Sequence, residues 1–141
     1  MSLHPYIHFP GTCAKALAFY ADVFGAPPAK TMRYDELPGG PTGGATGPGA
    51  SGIMHGQLDI AGGTLMASDF PPGAPPAAQA AVTITAAFVD LAEAARVFAG
   101  LSAGAEIVMP FGPSFFSEGF GMLHDRFGTH WIVMKQSEGL R

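Results

Sequence analysis

The chain has 141 residues, 48% of them apolar, and its 7 Lys/Arg against 11 Asp/Glu leave a net charge of −4. Such a length forms one domain, or two small ones sharing a core, and buries roughly two-thirds of its unfolded surface, while so apolar a composition excludes a disordered chain. No run of Lys or Arg supplies the footprint that nucleic acid or an anionic membrane needs, so neither is an expected partner.

Cys13 is the single cysteine, which excludes an internal disulfide and suits a reducing compartment; its place early in an apolar helical pattern reads as a buried thiol. No apolar run reaches membrane-spanning length, and no basic segment followed by a hydrophobic one opens the sequence, so a cytoplasmic location is the default expectation.

Pro5 to Phe9 reads as a short strand ended by Pro10-Gly11. Cys13, Ala16, Leu17, Tyr20 and Phe24 then recur at helical spacing, with Thr12 as the expected N-cap and Gly25 before Pro27-Pro28 as the stop. Ala29 to Tyr34 returns to an extended pattern. Residues 38–52 are mostly Gly, Pro, Ala, Ser and Thr, too small and polar to offset their ordering entropy, and read as a mobile loop. Ile53 to Ile60 and Thr64 to Ser68 form a hairpin across Ala61-Gly62-Gly63. Residues 69–79, with Pro71-Pro72-Gly73 and Pro75-Pro76, read as a stiff linker.

The order then repeats. Ala81 to Val89 reads as a strand, Asp90 and Glu93 as a capping box, and Leu91, Ala94, Ala95, Phe98 and Leu101 as the buried stripe of a second helix. Glu106 to Phe111 follows as a strand, residues 112–118 as a loop carrying Phe115 and Phe116, and Phe120 to Leu123 with Thr129 to Met134 as a second hairpin around Asp125 and Gly128. Gly121, Leu123, Gly128 and Thr129 follow Gly56, Leu58, Gly63 and Thr64 at one constant offset, while Phe98 and Gly104 follow Phe19 and Gly25 at a second, longer one. The difference between the two offsets falls between the first helix and the first hairpin, where the Gly/Pro-rich loop lies. The expected architecture is therefore α+β: two βαβββ modules over residues 1–68 and 80–141, their strands forming a curved mixed sheet with helices outside and a concave cleft within.

Three stretches carry a family resemblance: Pro5 to Gly25 around Phe19-Tyr20, Gly62 to Asp69, and Met122 to Trp131. Together they resemble the PhnB-like branch of the vicinal-oxygen-chelate superfamily, which groups glyoxalase I, extradiol dioxygenases and the fosfomycin and bleomycin resistance proteins. The resemblance implies paired βαβββ modules and a homodimer. In metal-using members the ligands come from the first and last strands of each module, positions that fall here on Pro5, Ala67, Ile84 and Ile132. All four are apolar, whereas such an ion takes imidazole and carboxylate donors, so neither a metal nor another cofactor is expected.

Among the remaining residues, His130 shares a strand face with Ile132 and is the best candidate for the cleft; His8 in the first strand and His55 beside the Gly/Pro-rich loop are the other two. His124 and His4 read as turn and terminus residues. Asp69 ends a strand and is placed to reach the cleft, and also suits a linker boundary. Phe111, Phe115, Phe116 and Phe120, with Met66, Met109, Met122 and Met134, are core formers or the walls of an apolar pocket; two adjacent phenylalanines cannot both face inward on a strand, so one of Phe115 and Phe116 is expected to point to the cleft or across a dimer boundary. The functional expectation is a protein that holds a small organic molecule in a metal-free apolar cleft, with His130, His8, His55, Phe115, Phe116 and Asp69 as contacts. The alternative is a lyase, isomerase or dioxygenase-like enzyme on a small oxygenated substrate, with those histidines as acid/base groups or displaced metal ligands.

Overall fold

The computed structural model describes residues 1–36 and 49–137, which divide into two compact units, Met1–Ala77 and Ala78–Arg141. The expected mobile loop, 38–52, lies mostly outside the described residues; at its described end Gly49 and Gly52 close a turn through a 3.0 Å backbone bond.

The first unit runs β1 (Tyr6–Phe9), α1 (Cys13–Phe24), β2 (Lys30–Arg33), a 3₁₀ turn (Tyr34–Glu36), β3 (Ile53–Ile60) and β4 (Gly63–Asp69). Its sheet has the order β1-β4-β3-β2, with β1 and β4 parallel and the other pairs antiparallel. Alternation decides the faces. Ile7 and Phe9 in β1, Leu65 and Ala67 in β4, and Leu58 in β3 point toward α1, which presents Cys13, Ala16, Leu17 and Tyr20 to them. Gly56 makes the close approach possible: a methyl group there would sit 2.5 Å from Leu17 Cδ1. Fully burying a side chain such as Leu17, Leu58 or Phe9 contributes about 1.5–3 kcal/mol each. The helix ends at Gly25, whose φ of 67° lets Ala26 N–H bond back to Ala21 C=O at 2.8 Å.

Its start differs from the expectation. Thr12 makes no side-chain cap bond; instead the Asp69 carboxylate, brought over from the end of β4, accepts from Cys13 N–H at 2.9 Å. The β3–β4 hairpin turns through Ala61 (φ 51°) and Gly62 (φ 75°), the two positive-φ positions of a tight two-residue loop.

The second unit repeats the order as β5 (Ile84–Phe88), α2 (Leu91–Leu101), β6 (Glu106–Gly112), β7 (Phe120–His124) and β8 (His130–Lys135), with sheet order β5-β8-β7-β6. Asp90 caps α2 by accepting from Ala92 N–H at 3.1 Å, while Glu93 lies 3.6 Å from Arg96. The buried stripe is Ala94, Val97, Phe98 and Leu101; Leu91 is exposed. Asp125 organises the second hairpin turn, accepting from Phe127 N–H, Thr129 N–H and the indole N–H of Trp131 at 2.8, 3.0 and 2.8 Å.

Registers correct the repeat by a single position. Gly56 pairs with Ala67, and the offset that carries Gly56 to Gly121 carries Ala67 to Ile132; Gly121 pairs instead with Val133, the next position along β8. The second turn is longer than the first by that one position, so the last strands correspond as Met66 with Ile132 and Ala67 with Val133. In a strand, a slip of one exchanges faces. No described helix is long and apolar enough to cross a membrane.

Candidate functional site

Each module covers one face of its sheet with a helix, and the chemistry lies on the other. On the first sheet that face carries Tyr6 and His8 from β1, Met66 and Ser68 from β4, His55 from β3 and Met32 from β2, as the register dictates. Tyr6 reaches over the intervening strand to share a 3.0 Å hydrogen bond between its hydroxyl and His55 Nδ1. His8 Nδ1 shares a 2.9 Å bond with the Ser68 hydroxyl. The Tyr6 ring packs against both imidazoles, with centroids 5.1 Å from His8 and 5.6 Å from His55, and Phe70 closes the other side of His8 at 5.7 Å. Both imidazoles are thus held through Nδ1, and each keeps Nε2 as a second hydrogen-bonding atom. The arrangement offers two oriented imidazoles, on either side of β4, as hydrogen-bonding groups for hydroxyl or carbonyl oxygens, with Met32, Met66 and Phe70 as apolar neighbours on the same face.

The other expected contacts fall elsewhere. Asp69 is only 4% exposed and points to the helix side; its two carboxylate oxygens accept from Cys13 N–H and from Ile53 N–H at 2.9 and 2.8 Å, so its role in this fold is structural. The same carboxylate acts on Cys13, whose thiol is pushed up to about 12, mainly by burial and then by the Asp69 charge; Cys13 is an inert core thiol. His130 lies on the helix-free face of the second sheet, as the expected sharing of a face with Ile132 requires, and its ring stacks on His124 with centroids 3.6 Å apart. His124, read from sequence as a turn residue, is the last residue of β7. Phe115 is fully exposed, while Phe116 turns its ring edge-on to Phe120 at 5.1 Å, which divides the adjacent pair between solvent and sheet. Beside them, Pro113 to Glu118 and Lys135 to Ser137 line a pocket of about 630 Å³, where the Lys135 ammonium lies 3.3 Å from Glu118.

The four positions where the family resemblance would put metal ligands are also redistributed. Pro5 precedes β1, and Ala67 and Ile84 sit in register with residues that face the helices. The corresponding residues on the helix-free faces are Tyr6 and Thr85 in the first strands and Met66 and Ile132 in the last. None brings an imidazole or carboxylate, so these corners do not fit the ion that the resemblance assigns to metal-using members. Among the described residues no group of three or more His, Cys, Asp or Glu side chains is already arranged to hold a metal.

Residues 2–133 match the Glyoxalase/Bleomycin resistance protein/Dioxygenase superfamily. The chain belongs to that superfamily. It is 30% identical over 139 residues to Protein YjdN of Escherichia coli K12, covering 94% of each chain. The structure of protein PA1353 from Pseudomonas aeruginosa superposes with a TM-score of 0.84 at 31% identity, over 96% of this chain and 98% of that one. A Bacillus cereus structure described as a putative 3-demethylubiquinone-9 3-methyltransferase, PhnB protein, shares the fold at a TM-score of 0.76 and 24% identity, over 96% of this chain and all of that one. The resemblance to PhnB-like proteins and the α+β fold of two βαβββ modules therefore hold for this member of the superfamily.

His8 and His55 stand out in the sequence, but the two residues that hold them, Tyr6 and Ser68, do not. Tyr6 alternates with His8 along β1, a signal the sequence does carry. Ser68 becomes a partner only through the parallel register of β1 on β4, far away along the chain.

Proposed function

We propose that this superfamily member binds a small organic molecule on the helix-free face of its first sheet, using the His8 and His55 imidazoles to hold a hydroxyl or carbonyl oxygen and doing so without a metal ion. The reading is carried by the Tyr6–His55 and His8–Ser68 hydrogen bonds, which engage the Nδ1 atoms of two imidazoles on one sheet face and leave Nε2 of each as a further donor or acceptor. It is supported by the chemistry of the corners where metal-using relatives would place ligands, which here are Tyr6, Met66, Thr85 and Ile132. Fixed donors and acceptors beside apolar walls lower the ordering cost of binding and give orientation.

A thermal-shift screen of the purified chain against small hydroxylated and carbonyl compounds, run with and without chelator, tests this. A ligand at one hundred times its dissociation constant stabilises the folded state by about 2.7 kcal/mol. The expected result is a chelator-independent rise in Tm that shrinks in Tyr6→Phe and disappears in His8→Ala combined with His55→Ala. A shift that survives the double substitution, or that chelator removes, refutes the reading.

A further inference from the structure

The pocket at the end of the second sheet, about 630 Å³ in volume, is of a size that takes a small molecule, and it lies in the other unit from the His8–His55 face. Two unlike groups meet at it. The first is Lys135, the only cation among the described residues that line it, and its backbone is fastened on both sides. Its N–H donates to Gly119 C=O at 2.9 Å, its own C=O lies 2.8 Å from the Ser117 hydroxyl, and the next N–H, of Gln136, donates to Phe88 C=O at 2.7 Å. The second is Phe115, which is fully exposed although the loop that carries it is closed on itself. Ser114 N–H donates to Ser117 C=O at 2.9 Å, and Ser117 N–H donates to the Ser114 hydroxyl at 3.2 Å. Phe115 meets Phe116 edge-on with ring centroids 5.1 Å apart, and Phe116 meets Phe120 in the same way. An anchored ring thus stands in water, where its apolar surface contributes nothing to folding.

We propose that this pocket binds a small aromatic carboxylate, the Lys135 ammonium pairing with the carboxylate and the Phe115 ring packing against the aromatic body. A carboxylate already stands at the ammonium: that of Glu118, 3.3 Å away on a side chain 68% exposed. Strong charge-assisted bonds of this kind are about 2.7–2.9 Å long, and a pair so open to solvent is weak. An incoming carboxylate can therefore take the place of Glu118, which returns to water. One ammonium matches a monoanion; a phosphate carries more charge and calls for further cations, which the described lining does not supply. Covering Phe115 with an aromatic body removes apolar surface of both from water, and contact between the two rings adds to the gain. A neutral aromatic compound forgoes the ammonium, and an aliphatic carboxylate forgoes the ring contact, so the class that uses both groups is the aromatic acid. The site shares no residue with the His8–His55 face and stands or falls separately from it.

The test is calorimetric titration of sodium 1-naphthoate into the full chain at low salt, where one equivalent is expected to bind. Lys135→Met should weaken binding by roughly tenfold or more, since a charge-assisted bond is lost, while Lys135→Arg keeps it. Phe115→Ala should weaken it by about two- to tenfold, and Phe115→Trp should retain it. Glu118→Gln should tighten it by removing the internal competitor. 1-Naphthamide and cyclohexanecarboxylate should each bind more weakly than 1-naphthoate, inorganic phosphate should not compete, and His8→Ala with His55→Ala should leave binding unchanged. Circular dichroism of each variant establishes that it folds. No binding of 1-naphthoate, binding indifferent to Lys135→Met or to Phe115→Ala, or equal binding of 1-naphthamide overturns the proposal; so does binding that His8→Ala with His55→Ala abolishes. If Phe115→Ala splits a dimer in sedimentation and leaves 1-naphthoate binding intact, the ring serves a second copy of the chain and the proposal is wrong.

Discussion

Replacing Asp69 tests the account of the first module most directly, because one carboxylate joins three elements. Its Oδ1 accepts from Cys13 N–H at the start of α1, its Oδ2 accepts from Ile53 N–H at the start of β3, and it ends β4 itself. With Asp69 4% exposed, Asp69→Ala leaves two buried N–H groups without their acceptor. Each such orphan costs about 1–3 kcal/mol, so the substitution should destabilise by about 2–6 kcal/mol. For a chain of this size that corresponds to a fall in Tm of roughly 6–20 °C. Asp69→Asn keeps one acceptor oxygen and turns an NH2 group toward the other donor, so about half the loss is expected. Thr12→Ala, at the position where sequence alone puts the cap, should change stability by less than about 0.5 kcal/mol, because its side chain makes no cap bond. Urea unfolding followed by far-UV circular dichroism measures all three. If Thr12→Ala costs as much as Asp69→Ala, or Asp69→Ala is neutral, the cap assignment is wrong.

Cys13 should resist iodoacetamide at pH 8 in the folded protein and react once urea exposes it, as mass spectrometry would show. Its thiol is raised from 9.0 to about 12 by burial and then by Asp69, so the folded state keeps a proton that the unfolded chain releases. That contribution is intact below the unfolded value and is lost as pH climbs from about 9 toward 12, by about 1.4 kcal/mol per pH unit, which urea midpoints across that range would show absent in Cys13→Ala. Gly121→Ala should destabilise by about 1–3 kcal/mol, since the added methyl would lie 2.6 Å from the Phe98 ring and 3.0 Å from the Phe111 backbone; Gly63→Ala, with no side chain within 4 Å, should cost far less by the same urea unfolding. Asp90→Ala should cost about 1 kcal/mol by removing the acceptor of Ala92 N–H.

Local pattern carried much of the fold. Helical spacing placed α1 and α2, alternation placed the strands, and Gly25 and Asp90 marked a stop and a start, because each of these signals is settled by residues within a few positions of one another. The repeat was legible for the same reason. Its slip by one position between β4 and β8 was not, because a turn's length changes the register without altering the apolar alternation on either side of it, and that slip moves Ala67 to the helix side while Ile132 stays opposite.

Candidate contacts divided along the same line. Sequence identified His8, His55 and His130 as the polar residues worth following, since an imidazole on a strand bounded by apolar neighbours is legible from composition and alternation. What each touches was decided elsewhere: Ser68 meets His8 across a parallel pairing, Tyr6 reaches His55 over a strand, and His124 becomes the stacking partner of His130 only when β7 and β8 are zipped. Asp69 went the other way, from an expected ligand contact to a structural acceptor, because backbone N–H groups from two distant elements converge on it. Sequence thus determined which elements form and which side chains can do chemistry, as these depend on near neighbours. The tertiary structure alone decided which of those side chains meet, as that depends on strand register, and a register shift of one reverses every face.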